Sequence, residues 1–100
     1  MNMVRKFQPS VILHIEDNDT YRRAFALDLM ASDEICGSYG HLKKVVSLIA
    51  SELDQQGLIQ ELERLERETG VSPTLLQVTS GQVARNYLER CLPSCVITYL

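Results

Sequence analysis

Ser10-Val11-Ile12-Leu13-His14-Ile15-Glu16, running straight into Asp17-Asn18-Asp19-Thr20, is the stretch on which the fold turns. A dense apolar and β-branched run after Pro9 reads as a strand buried on both faces. The four residues that follow carry side-chain oxygens suited to the exposed amides of a helix start, and Tyr21 to Ala31 is rich in the helix formers Ala, Leu and Met. A strand leading directly into a helix is the opening of a layered α/β fold. Ala24, Phe25, Leu27, Leu29 and Met30 occupy more than one side of that helix, which is therefore expected to pack on more than one neighbour.

Outward from this segment the pattern continues in the same style. Glu34-Ile35-Cys36-Gly37-Ser38-Tyr39 reads as a short edge strand. From His41, the residues Leu42, Val45, Val46, Ile49 and Leu53 recur at helical spacing and predict an amphipathic helix, interrupted by Gly57 and resumed in shifted register at Leu58, Leu62 and Leu65. Thr69-Gly70 ends it. Residues 72–81 admit two readings: Ser72-Pro73 can launch a helix, or Thr74 to Thr79 can be a strand with Ser80-Gly81 as a hairpin turn. Val83, Ala84, Tyr87, Leu88 and Cys91 share a helical face and predict a helix from Gly81 to Leu92 that Pro93 stops. Cys95 to Leu100 closes the chain as a strand. The sum is one α/β domain over residues 1–100, with a small, largely parallel three- to four-stranded sheet flanked by helices.

Composition narrows the function classes. One hundred residues hold a single domain of ordinary globular make-up. Ten basic against thirteen acidic residues give a net charge of −3, a field that attracts neither phosphate backbones nor anionic lipid, so nucleic acid is disfavoured as a partner. No apolar run approaches the ~20 residues that cross a bilayer, and no signal peptide opens the chain. Cys36, Cys91 and Cys95 form an odd set without a C-x-x-C, which points to free thiols and a reducing, cytoplasmic setting. A zinc site combining them with His14 or His41 lacks any recognisable ligand pairing. No G-x-S-x-G, H-E-x-x-H or phosphate-binding glycine loop is present, so no catalytic constellation assembles.

The sharpest chemical feature is the acidic turn. Glu16 and Asp17 at the end of a buried strand are hard oxygen donors of the kind that gather around Mg2+, although the same side chains serve equally as helix caps. From Val11 to Arg23 the chain resembles the response-regulator receiver family in its first strand, acidic pair and first helix, and Ile35 to Ala50 is loosely similar to that family's second strand and helix. The resemblance implies that Glu16 and Asp17 would be the Mg2+ ligands. The phosphate-accepting aspartate at the end of the third strand has no match: Asp54 lies at roughly the right distance but in a helical pattern. Thr98 matches the switch residue only loosely, and no lysine follows a fifth strand. At ~30 residues for a βαβ unit, the length has space for four βα units and not five. The kinship thus implies a shortened receiver that accepts no phosphate and works as a regulatory protein-protein interaction module, with no cofactor beyond the Mg2+ that the acidic pair suggests.

Its partner would be another protein, or a second copy of itself, held by aromatic anchors such as Tyr39, Tyr87 or Tyr99. Two alternatives accompany this reading. Gly70 to Leu76 is similar to the proline turn and following strand of thioredoxin-like folds, here without redox chemistry because no thiol sits in the required motif. Glu68 to Gly81 is similar to the turn and recognition helix of helix-turn-helix DNA-binding regulators, although residues 61–90 carry more glutamate than arginine.

Overall fold

The computed structural model describes residues 4–31, 44–49, 55–69 and 73–98. Their order is β1 (Lys6–Ile15), α1 (Asp19–Ala31), β2 (Lys44–Leu48), α2 (Gln55–Thr69), β3 (Thr74–Val78), α3 (Gly81–Arg90) and β4 (Cys91–Thr98). The four strands make one sheet in the order β2-β3-β1-β4, and every pairing is parallel. The fold is α/β, as the sequence pattern implies. β1 lies between β3 and β4, so Val11, Ile12 and Leu13 lose all contact with solvent.

Alternation along the strands sends their side chains to two unequal layers. Val11, Leu13, Val46, Leu48, Leu76 and Val78 pack with Leu58, Leu62 and Leu65 of α2 and Val83, Ala84 and Tyr87 of α3. On the opposite face Ile12 and Leu75 pack with Ala26 and Leu29 of α1, with Phe25, Val45, Cys95 and Ile97 half-buried around them. Among the described residues two helices cover one face and one covers the other. The chain runs from β1 past β3's place to β2, then returns to β3 and on across β1 to β4. With one hand for all crossovers, this reversal of direction puts α1 on one side and α2 and α3 on the other.

The structure corrects the expected helix from His41 and decides between the open readings of residues 72–81. Residues 44–48 are strand β2, not part of a helix. Their apolar residues fit a period of two as well as one of 3.6, and β-branched Val45 and Val46 complete a ladder with Leu75 and Leu76 of β3. Gly57 consequently lies in the first turn of α2 and marks no break between two helices, while the stripe Leu58, Leu62 and Leu65 is buried as its spacing predicts. Thr74–Val78 is an interior strand with all five residues buried, which leaves no recognition helix in that stretch and removes the helix-turn-helix reading. Ser80 is not a hairpin residue but the N-cap of α3, its side chain accepting from Val83 N–H at 3.3 Å.

Two boundaries also move. α3 ends at Arg90, before Pro93, because Cys91 already belongs to β4. Pro93 is accommodated on this edge strand opposite Gln8, where the β1–β4 register begins to shift. The strand proposed for residues 34–39 falls outside the described residues.

Tyr87 ties α3 to the sheet. It is fully buried, and its hydroxyl donates to Oε1 of buried Gln8, whose Nε2 has no hydrogen-bond partner among the described residues. Tyr87→Phe strands the whole Gln8 amide and should cost about 1–3 kcal/mol in chemical denaturation. Adding Gln8→Leu should recover much of that loss, since an apolar pair of similar shape leaves nothing unsatisfied.

Candidate functional site

At the carboxyl end of β1 the acidic turn is organised from within. Asn18 caps α1, its side-chain oxygen accepting from Tyr21 N–H at 3.0 Å and its carbonyl from Arg22 N–H at 2.9 Å. Glu16 is buried and accepts from Asn18 N–H at 3.2 Å, while its own N–H donates to Val78 of β3 at 3.0 Å. Arg22, buried despite its charge, donates to the carbonyls of Glu16 and Asp17 at 3.3 and 3.4 Å and pairs with Asp19. Arg23 reaches the other Asp19 oxygen at 3.1 Å.

The cation of this turn is therefore a guanidinium. Asp17 is exposed, Asp19 is paired twice, and Glu16 is engaged by the backbone. Among the described residues no three His, Cys, Asp or Glu side chains gather in a way that could hold a metal. These contacts are those of a capped helix start, with Asn18, Glu16 and Asp19 all engaged by the turn itself.

Behind the turn a polar row crosses the sheet interior. Ser47, Gln77 and His14 are register partners on β2, β3 and β1. Ser47 Oγ donates to Gln77 Oε1 at 3.1 Å, and Gln77 Nε2 donates to the Arg22 carbonyl at 2.8 Å and faces His14 Nδ1 at 3.2 Å. With an amide N–H pointing at it, Nδ1 is the acceptor and the ring proton belongs on Nε2. The ring stacks on Phe25, with centroids 4.1 Å apart and planes 25° apart. Burial lowers the pKa of His14 below its ordinary value, with Glu16 acting against this and Arg22 reinforcing it.

A cleft of about 500 Å3 opens at this end of the sheet, lined by His14, Glu16, Tyr21, Phe25, Ile97 and Thr98. Ligands of open α/β sheets bind outside the carboxyl ends of the strands, which is where this cleft lies.

The remaining candidates separate. Tyr87 belongs to the core and not to a partner surface, because its place on the apolar face of α3 turns it inward. Tyr39 and Tyr99 lie outside the described residues, as do Cys36 and His41. Cys91 packs on the α2–α3 side of the sheet and Cys95 on the α1 side, so the two cannot ligate one metal. Burial raises both thiols, the opposite of what a reactive thiolate needs. Gln77 and Arg22 were not singled out by the sequence. The available signal was a lone amide inside Leu75-Leu76-Gln77-Val78, a polar residue that a buried strand tolerates only with partners.

Comparison with protein-family models, with curated proteins and with solved structures finds no match for this chain. Among the described residues no helix is long and apolar enough to cross a membrane.

Because His14 is held neutral, the unfolded chain binds its proton at higher pH than the folded one. Stability is present above the unfolded value near ~6.5 and declines as pH falls through it toward the lower folded value. The denaturation midpoint should drop on acidification through this window, and His14→Gln should flatten that slope. An unchanged slope in the variant would assign it to other groups.

Proposed function

We propose that the protein is a non-catalytic regulatory interaction module of receiver-like type, and that the surface it uses is the outer edge of β4. What supports the receiver-like part is a parallel α/β sheet with an acidic pair where β1 gives way to α1. The strand order departs from the 2-1-3-4-5 order of flavodoxin-like sheets, in which β1 lies beside β2. β3 ends in Val78-Thr79, with no carboxylate in the place of a phosphate acceptor.

The observation that carries the binding role is the chemistry of β4. Cys91-Leu-Pro-Ser-Cys-Val-Ile-Thr98 is an edge strand of eight residues without a single charge, and Val96 is 46% exposed. Soluble proteins usually guard such an edge with charge. Pro93 blunts its first half, which leaves Cys95 to Thr98 to pair with a further strand. Beside it Phe7 and Leu92, register partners, are both exposed.

The occupant is a second copy of the chain. An uncharged edge meets its own copy antiparallel without like-charge opposition, and a two-fold axis at Val96 sets that residue against itself and Ser94 against Thr98.

Sedimentation velocity over a concentration series should show a dimer for the native chain. Val96→Lys, a change at an exposed position, should give a folded monomer by opposing two lysines. A monomeric native chain, or a dimer that ignores this substitution, would contradict the assignment. For the non-catalytic part, acetyl phosphate with Mg2+ should leave the intact mass unchanged, and an adduct on Asp17, Asp19 or Asp54 would overturn it.

A further inference from the structure

The cleft at the carboxyl end of β1 and β4 shares Ile97 and Thr98 with the β4 edge strand and has features of a built ligand site. Its volume of about 500 Å3 lies in the range of small-molecule pockets, about 300–1,000 Å3. Its walls are aromatic and apolar, from Tyr21, Phe25 and Ile97. Two polar groups more than nine-tenths buried line it, His14 at 4% and Glu16 at 8% exposure.

These two polar groups differ in kind. Gln77 occupies His14 Nδ1 and so fixes the proton on Nε2, which makes the imidazole a neutral donor. Glu16 supplies the complement. One of its carboxyl oxygens receives Asn18 N–H, and a carboxyl group has acceptor capacity for more than that single bond. Among the described residues the lining includes no lysine or arginine, and the charge of Arg22 is already committed to the turn. An anionic ligand would meet Glu16 without compensation.

The geometry points to a binding site for a neutral, planar nitrogen heterocycle that offers a ring-nitrogen acceptor to His14 and an adjacent amino donor to Glu16, the pattern along the edge of an adenine base. Adenine carries its N7 acceptor beside its N6 amino group, and its faces suit stacking against Tyr21 and Phe25. The ligand class is thus an uncharged aminopurine or its nucleoside.

The test uses adenosine as the probe with the full-length chain, read by amide and imidazole NMR shifts. Saturable shifts concentrated at His14, Phe25, Ile97 and Thr98 are expected. Purine riboside, which lacks the 6-amino group, should bind about tenfold or more weakly, because it leaves the Glu16 acceptor unpaired. Glu16→Gln keeps an oxygen for Asn18 N–H and should erase most of the difference between the two nucleosides. Tyr21→Ala, at an exposed position, should weaken both nucleosides together. Absence of saturable shifts with adenosine, or equal binding of the two nucleosides to the native chain, would overturn the proposal.

Discussion

The structure depends on Val11 to His14 being enclosed by parallel neighbours on both sides. A parallel ladder cannot be closed by a short turn, so each neighbour of β1 must be delivered by a crossover, and each crossover brings cover for a face. α2 and α3 arrive in this way beneath Leu13 and Leu76, and α1 above Ile12 and Leu75. Once β1 is interior, Gln8 and His14 are carried inside with it and need partners. Tyr87 and Gln77 supply them from elements far along the chain.

The same enclosure explains how the carboxyl end of the sheet is arranged. Glu16 leaves β1 still bonded to β3 through Val78, which fixes where the turn begins. Arg22 then folds back from α1 over the carbonyls of that turn, and its own carbonyl takes the Gln77 amide. Capping, ion pairing and the polar row form one connected network. A buried network of this sort stabilises only when every member is satisfied, so it ties strand register to helix position. The cleft beside it inherits a fixed imidazole tautomer and a fixed carboxyl group, an arrangement that favours selective binding.

How much of this was legible in the sequence follows from which physical terms are local. β1 and the capped start of α1 are decided by neighbouring residues, and so are the Leu58-Leu62-Leu65 stripe and the face of α3 that holds Val83, Ala84 and Tyr87. β2 was misread because Val45, Val46 and Leu48 satisfy two periods at once, and only the ladder to β3 selects between them. For Thr74 to Val78, two local readings competed until burial between β2 and β1 chose the strand. Glu16 and Asp17 were found as a pair, yet the cation beside them is Arg22, which no spacing rule flags. His14 stands inside the apolar run of β1, but the amide that satisfies it lies 63 positions away. Tyr87 drew notice as an aromatic anchor, and it anchors the interior.

The fold rests on β1 being the strand between β3 and β4, and cross-strand nuclear Overhauser effects on the labelled chain test this most directly. Leu13 should show backbone contacts of parallel type to Leu76 on one side and to Val96 on the other. Contacts to one strand alone, or the sequential pattern of a helix across residues 10–16, would contradict it.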